Sequence, residues 1–67
     1  MYEVSLYTNT GKQFDFATFT RLDSARKYIA DTVGRYEAQI VNTETGNVTI
    51  FVVKNGELKL TQCYALN

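Results

Sequence analysis

The sequence predicts an α+β fold: a five-stranded, mainly antiparallel sheet with one helix packed on one face, in the order ββαβββ. Three observations predict it. First, Asn9-Thr10-Gly11, Glu44-Thr45-Gly46 and Lys54-Asn55-Gly56 each lie between apolar, alternating segments. Each fits a three-residue hairpin loop, a type I turn followed by glycine in the left-handed region. Second, FTRLDSARKYIADTVGRY carries Leu22, Ala25, Ile29 and Val33 at helical spacing, which makes one apolar stripe. Third, the chain has no proline, so nothing breaks these segments.

The first turn, if it pairs Thr8 with Lys12, sets Leu6 opposite Phe14 and Val4 opposite Phe16. In the helix, Thr20 or Asp23 can cap the start, the two being spaced as a capping box, and Gly34 is a natural stop. Asp23, Lys27 and Asp31 lie four apart on the face away from the stripe and can pair along it. Tyr28 falls at the stripe's edge. The second turn, pairing Thr43 with Asn47, sets Ile40 opposite Ile50 and Ala38 opposite Val52. The third, pairing Val53 with Glu57, sets Val52 opposite Leu58 and Ile50 opposite Leu60. Asn55-Gly56 also suits a two-residue type I′ turn, which would move Leu58 and Leu60 beside Phe51 and Val53. With the three-residue turns, the inner face holds Tyr2, Val4, Leu6, Phe14, Phe16, Ala38, Ile40, Val48, Ile50, Val52, Leu58 and Leu60. Strand order stays open, with the last strand beside the first or the third beside the second.

A sheet with one face in water alternates apolar and polar residues. Residues 48–60, VTIFVVKNGELKL, are apolar on both sides, so something should cover the second face. The same registers put Glu3, Ser5, Tyr7, Asp15, Ala17, Glu37, Gln39, Val41, Thr49, Phe51, Val53, Glu57, Lys59, Thr61 and Cys63 on that face. Its rim then carries four carboxylates against one lysine, and Tyr7, Val41, Phe51 and Val53 form an apolar patch of the kind that marks a protein interface. A second candidate surface is the basic helix side, Arg21, Arg26, Lys27 and Arg35.

Sixty-seven residues make one domain, 1–67, with a marginal core. Such chains lean on disulfides, metals, self-association or regular packing. One cysteine and no histidine exclude an intrachain disulfide and a zinc site, and no cofactor is expected. A lone cysteine fits a reducing, cytoplasmic setting. No apolar run approaches the roughly 20 residues of a membrane helix, and MYEVSLYT has no basic region before an apolar core, so neither a membrane nor a signal peptide is expected. Seven basic and seven acidic side chains balance, which argues against a strongly electrostatic nucleic-acid binder. The carboxylates are dispersed, Ser5 and Ser24 have no base beside them, and Cys63 reads as a packed thiol, so the chain is not expected to be an enzyme. RNA on the sheet is disfavoured by the acidic rim.

In length and plan the chain resembles very small, stand-alone, non-catalytic proteins of phages and mobile elements, some anti-CRISPR proteins among them. That resemblance rests on size and architecture and carries no residue across. It implies a protein that blocks a host defence complex by occupying a protein or nucleic-acid surface, in the host cytoplasm if phage-encoded. The expectation is therefore a non-catalytic binding protein whose partner is a protein or nucleoprotein complex. The alternatives are a nucleic-acid module using the basic helix side, or a self-associating domain.

Overall fold

The computed structural model describes residues 1–65. The elements are β1 (Tyr2–Tyr7), β2 (Gln13–Phe19), α1 (Leu22–Asp31), β3 (Arg35–Asn42), β4 (Asn47–Lys54) and β5 (Glu57–Ala65). They form one α+β unit, an antiparallel sheet in the order β2-β1-β3-β4-β5 with one helix on one face. The third strand lies beside the first, in neither of the two positions left open by the sequence. The helix starts after β2, crosses over β1 and delivers the chain to the free edge of β1. The junction is closed at Met1, whose carbonyl accepts the backbone N–H of Thr43 (2.9 Å) and its hydroxyl (3.0 Å).

Ala25 and Ile29 of the helix pack on Val4 and Leu6, Tyr36, Ala38 and Ile40, and Phe51 and Val53. Every strand segment in this cluster keeps period two, which puts these residues on one face. The helix is shorter than its apolar stripe suggests. Thr32 N–H and the Tyr36 hydroxyl (2.5 Å) both reach the Ile29 carbonyl, Tyr36 also lies 3.0 Å from the Thr32 carbonyl, and the Thr32 hydroxyl donates to Tyr28 O. These bonds satisfy carbonyls that a longer helix would have paired internally. Val33 therefore leaves the stripe and is 89 % exposed. At the other end neither Thr20 nor Asp23 caps the helix. Arg21 occupies the N-cap without a side-chain capping bond, and the Asp23 carboxylate accepts from the Arg21 guanidinium and from Ser24 N–H.

Three registers decide which side chains face the helix. The Thr8–Lys12 turn closes as expected, with Thr8 N–H donating to Lys12 O at 2.8 Å. A bulge follows, so that Leu6 opposes Asp15 and Val4 opposes Ala17, not Phe14 and Phe16. The second turn spans four residues, 43–46, and its closing pair is Asn42 and Asn47. Gly46 N–H reaches Asn42 O at 2.7 Å, and the Asn42 side-chain oxygen accepts Glu44 N–H at 3.0 Å. This Asx-type turn shifts β4 by one residue from the expected pairing, and a one-residue shift exchanges the two faces of a strand. Phe51 (4 % exposed) and Val53 are consequently core residues, while Val48, Ile50 and Val52 take the open face. The third turn is the two-residue form. Asn55 and Gly56 both have positive φ, 52° and 84°, as a type I′ turn requires. That second shift cancels the first for β5, and Leu58 and Leu60 sit opposite Val53 and Phe51.

Gly56 has a further reason to be glycine, since a Cβ there would lie 3.0 Å from the Ala30 carbonyl oxygen. The hairpin tip is thus seated against the end of the helix. A helix about 10–12 Å across covers only two or three strands spaced about 4.8 Å apart. Leu60, on the helix side of edge strand β5, remains 57 % exposed.

Candidate interaction surface

The open face consists of rows that cross the sheet. One row runs Gln13, Tyr7, Glu37, Val52, Lys59, the next Phe16, Ser5, Gln39, Ile50, Gln62, and the next Thr18, Glu3, Val41, Val48, Tyr64. At the end nearest the β4–β5 turn lie Arg35, Lys54 and Glu57. Val48 is fully buried, yet it stands apart from the helix-side core, flanked by Val41 and Tyr64. Ile50 and Val41 are half-buried and Val52 is 47 % exposed. Phe16 and Tyr64 are exposed toward the two edges. The result is a second apolar band with no helix over it.

Of the expected patch, Tyr7 and Val41 lie on this face, while Phe51 and Val53 lie beneath the helix, for the register reason above. Phe16, Ile50, Val52 and Tyr64 take their place. The acidic rim is also corrected. Asp15 belongs to the helix side, where it accepts Phe16 N–H (2.9 Å) and the Tyr28 hydroxyl. Arg35 and Lys54 join Lys59, so the open face carries three carboxylates (Glu3, Glu37, Glu57) and three cations. Cys63 turns to the helix side opposite Thr49, exposed and free, with its Sγ 3.9 Å from the Thr49 hydroxyl.

Of the basic helix side, Arg21, Arg26 and Lys27 stay on or beside α1, while Arg35 does not join them. Arg21 pairs with Asp23 at 3.1 Å and Lys27 with Asp31 at 3.2 Å. Arg26 lies over the Phe51 ring, 5.4 Å from its centroid, within range of a cation–π contact. Arg35 is on β3 with its side chain on the open face, because odd positions of that strand oppose the open-face positions of β1 and β4. The Arg21 contact holds the Asp23 carboxyl below its ordinary value. Tyr28 packs on Phe19, ring centroids 5.3 Å apart. Burial, then the Asp15 carboxylate, pushes its phenol up to about 12. Burial raises that of Tyr36 as well.

Two open concavities mark the turn end of this face, of about 320 and 290 Å³. They share Thr8, Asn9 and Glu37; the first adds Arg35, Val52 and Lys54, the second Tyr7 and Gln39. Among the described residues no group of three metal-ligating side chains occurs, and no helix is long and apolar enough to cross a membrane. Comparison with protein families, with curated proteins and with solved structures finds no match to the chain.

Proposed function

We propose that this protein works by binding, without catalysis, through the open face of its sheet, which occupies a surface of a partner protein or nucleoprotein complex. The observation that carries this reading is the uncovered apolar band. Val41, Ile50 and Val52 run across the central strands, with Phe16 and Tyr64 at the edges. Their polar rim is balanced in charge, as at an interface that gains affinity from desolvating apolar and aromatic groups. In its sharpest form the protein is a phage-type inhibitor of a host defence complex such as CRISPR-Cas, the role suggested by its size and plan.

The test is capture of partners by tagged wild-type protein and by Val52→Asp, with and without nuclease and at two salt concentrations. Val52 is exposed, so the variant keeps its fold, which amide spectra verify. The reading expects a stoichiometric protein partner that survives nuclease and salt and is lost with Val52→Asp. A partner retained by the variant overturns the assignment of this face. A second reading is favoured by Arg35, Lys54 and Lys59 lying on the same face as Tyr7, Phe16 and Tyr64, the combination that single-stranded nucleic acid stacks on. Capture abolished by nuclease selects it. Recovery of the protein alone, as a concentration-dependent dimer, selects self-association through the same band.

A further inference from the structure

The distribution of cations is uneven. Arg21 and Lys27 have carboxylate partners and Arg26 has the Phe51 ring. Among the described residues, Arg35 and Lys54 have neither. They stand directly opposite one another across β3 and β4, an arrangement of like charges that destabilises a sheet. Lys54 has Glu57 as its register neighbour on β5, and Arg35 has Glu37 two residues on along the same face. Among the described residues, no ion pair within 4.0 Å forms to either. The two cations line the 320 Å³ concavity together with Thr8, Asn9, Glu37 and Val52. The side-chain amide of Asn9 has no hydrogen-bond partner among the described residues.

We propose that this concavity is a phosphate site, in which Arg35 and Lys54 clamp one phosphomonoester group and Glu37 accepts a hydrogen bond from a hydroxyl carried beside it. Arg35 and Lys54 outnumber the one lining carboxylate, Glu37, so the concavity is net cationic, and a monoester, about −1.5 to −2 near neutral pH, gains more from two cations than a singly charged diester does. Guanidinium and ammonium donors both form strong charge-assisted bonds to phosphate oxygens. Asn9, also in the lining, supplies a neutral donor. Glu37 sets the selectivity. Its carboxylate repels a bare oxyanion and rewards a ligand that brings an O–H to it. The volume lies at the small end of the range for ligand pockets, room for a phosphate and one sugar ring. Ligand class and site are therefore a phosphorylated, hydroxyl-bearing small molecule at the turn end of the open face. The concavity adjoins the apolar band, since Val52 belongs to both.

The experiment titrates the labelled protein with ribose 5-phosphate, inorganic phosphate and dimethyl phosphate at matched ionic strength, following backbone amides and thermal midpoint. The expected result is saturable shifts confined to Asn9, Arg35, Glu37 and Lys54, with ribose 5-phosphate binding most tightly and the diester least. Lys54→Gln weakens binding roughly tenfold or more, the loss of one charge-assisted contact. It also raises the thermal midpoint of the free protein, because the like-charge opposition is gone. Glu37→Gln tightens inorganic phosphate and narrows the advantage of ribose 5-phosphate. Shifts that fail to saturate, or that spread equally to Lys12, Lys27 and Lys59, overturn the site. So does unchanged affinity in Lys54→Gln, and equal binding of the diester overturns the monoester assignment.

Discussion

The two faces of β4 carry side chains of similar apolarity and meet different fates. Phe51 and Val53 are sealed beneath α1, with Arg26 laid over the Phe51 ring. On the other side Val52 is about half in water, Ile50 is half-covered, and only Val48 is buried, by its strand neighbours. Hydrophobicity alone does not select the face that becomes core. Here the selection is made by a turn one residue longer than expected, held by the Asn42 side chain. The same strand thereby supplies a core face and an open face, and the energetic consequences of substitution should separate cleanly between them.

The largest expected separation is at Phe51. Phe51→Ala should cost about 3–5 kcal/mol. A domain of this size has roughly 3–10 kcal/mol in total, so the variant should be unfolded or nearly so in urea titrations. A near wild-type midpoint would return Phe51 to the surface and erase the contrast. Next is Tyr36→Phe, which leaves the ring in place and removes the hydroxyl shared by the Ile29 and Thr32 carbonyls. Leaving buried carbonyls without that donor should lower stability by about 1–3 kcal/mol, read from the same titration.

A smaller effect on the helix side depends on pH. The Tyr28 phenol, near 10 when unfolded, is raised to about 12 in the folded protein. The folded state therefore holds its proton more tightly. The associated stability is complete below pH 10 and is lost as pH rises through 12. Tyr28→Phe should lack this decline, and the difference between the two stability–pH curves measures it. A wild-type curve parallel to the variant's above pH 10 would show that the phenol is neither buried nor held by Asp15 in solution. The smallest effect is expected at Val52. Val52→Ser should change stability by no more than about 0.5 kcal/mol while weakening partner binding. A loss comparable to that of Phe51→Ala would mean that the open face is covered within the monomer.

Much of the fold is legible in the sequence alone. Val4 and Leu6, Ala38 and Ile40, and Ala25 and Ile29 are assigned correctly because each alternates or recurs within its own segment, where no neighbouring register enters. The Thr8–Lys12 turn and the glycines at positions 11, 46 and 56 were legible for a similar reason, since local backbone chemistry alone demands them. The candidate surface is only partly legible. Alternation puts Tyr7 and Val41 on the open face correctly, but Phe51, Val53, Phe16 and Cys63 on the wrong sides. Two signals bear on β4 and its hairpin: the side chain of Asn42, able to accept from its own turn, and Asn55-Gly56, which prefers the two-residue form; Phe16 and Cys63 instead owe their sides to bulges in the β1–β2 and β4–β5 ladders.

What the sequence by itself determined is therefore the set of elements, the period of each and the α+β class, because these follow from local sterics and the spacing of apolar residues. The tertiary structure decided the parity of β4, the place of β3 beside β1, and the meeting of Arg35 with Lys54. Each of these depends on how a turn closes or where a helix of limited width comes to rest. A single residue of loop length leaves local propensity almost unchanged yet reverses every side chain beyond it.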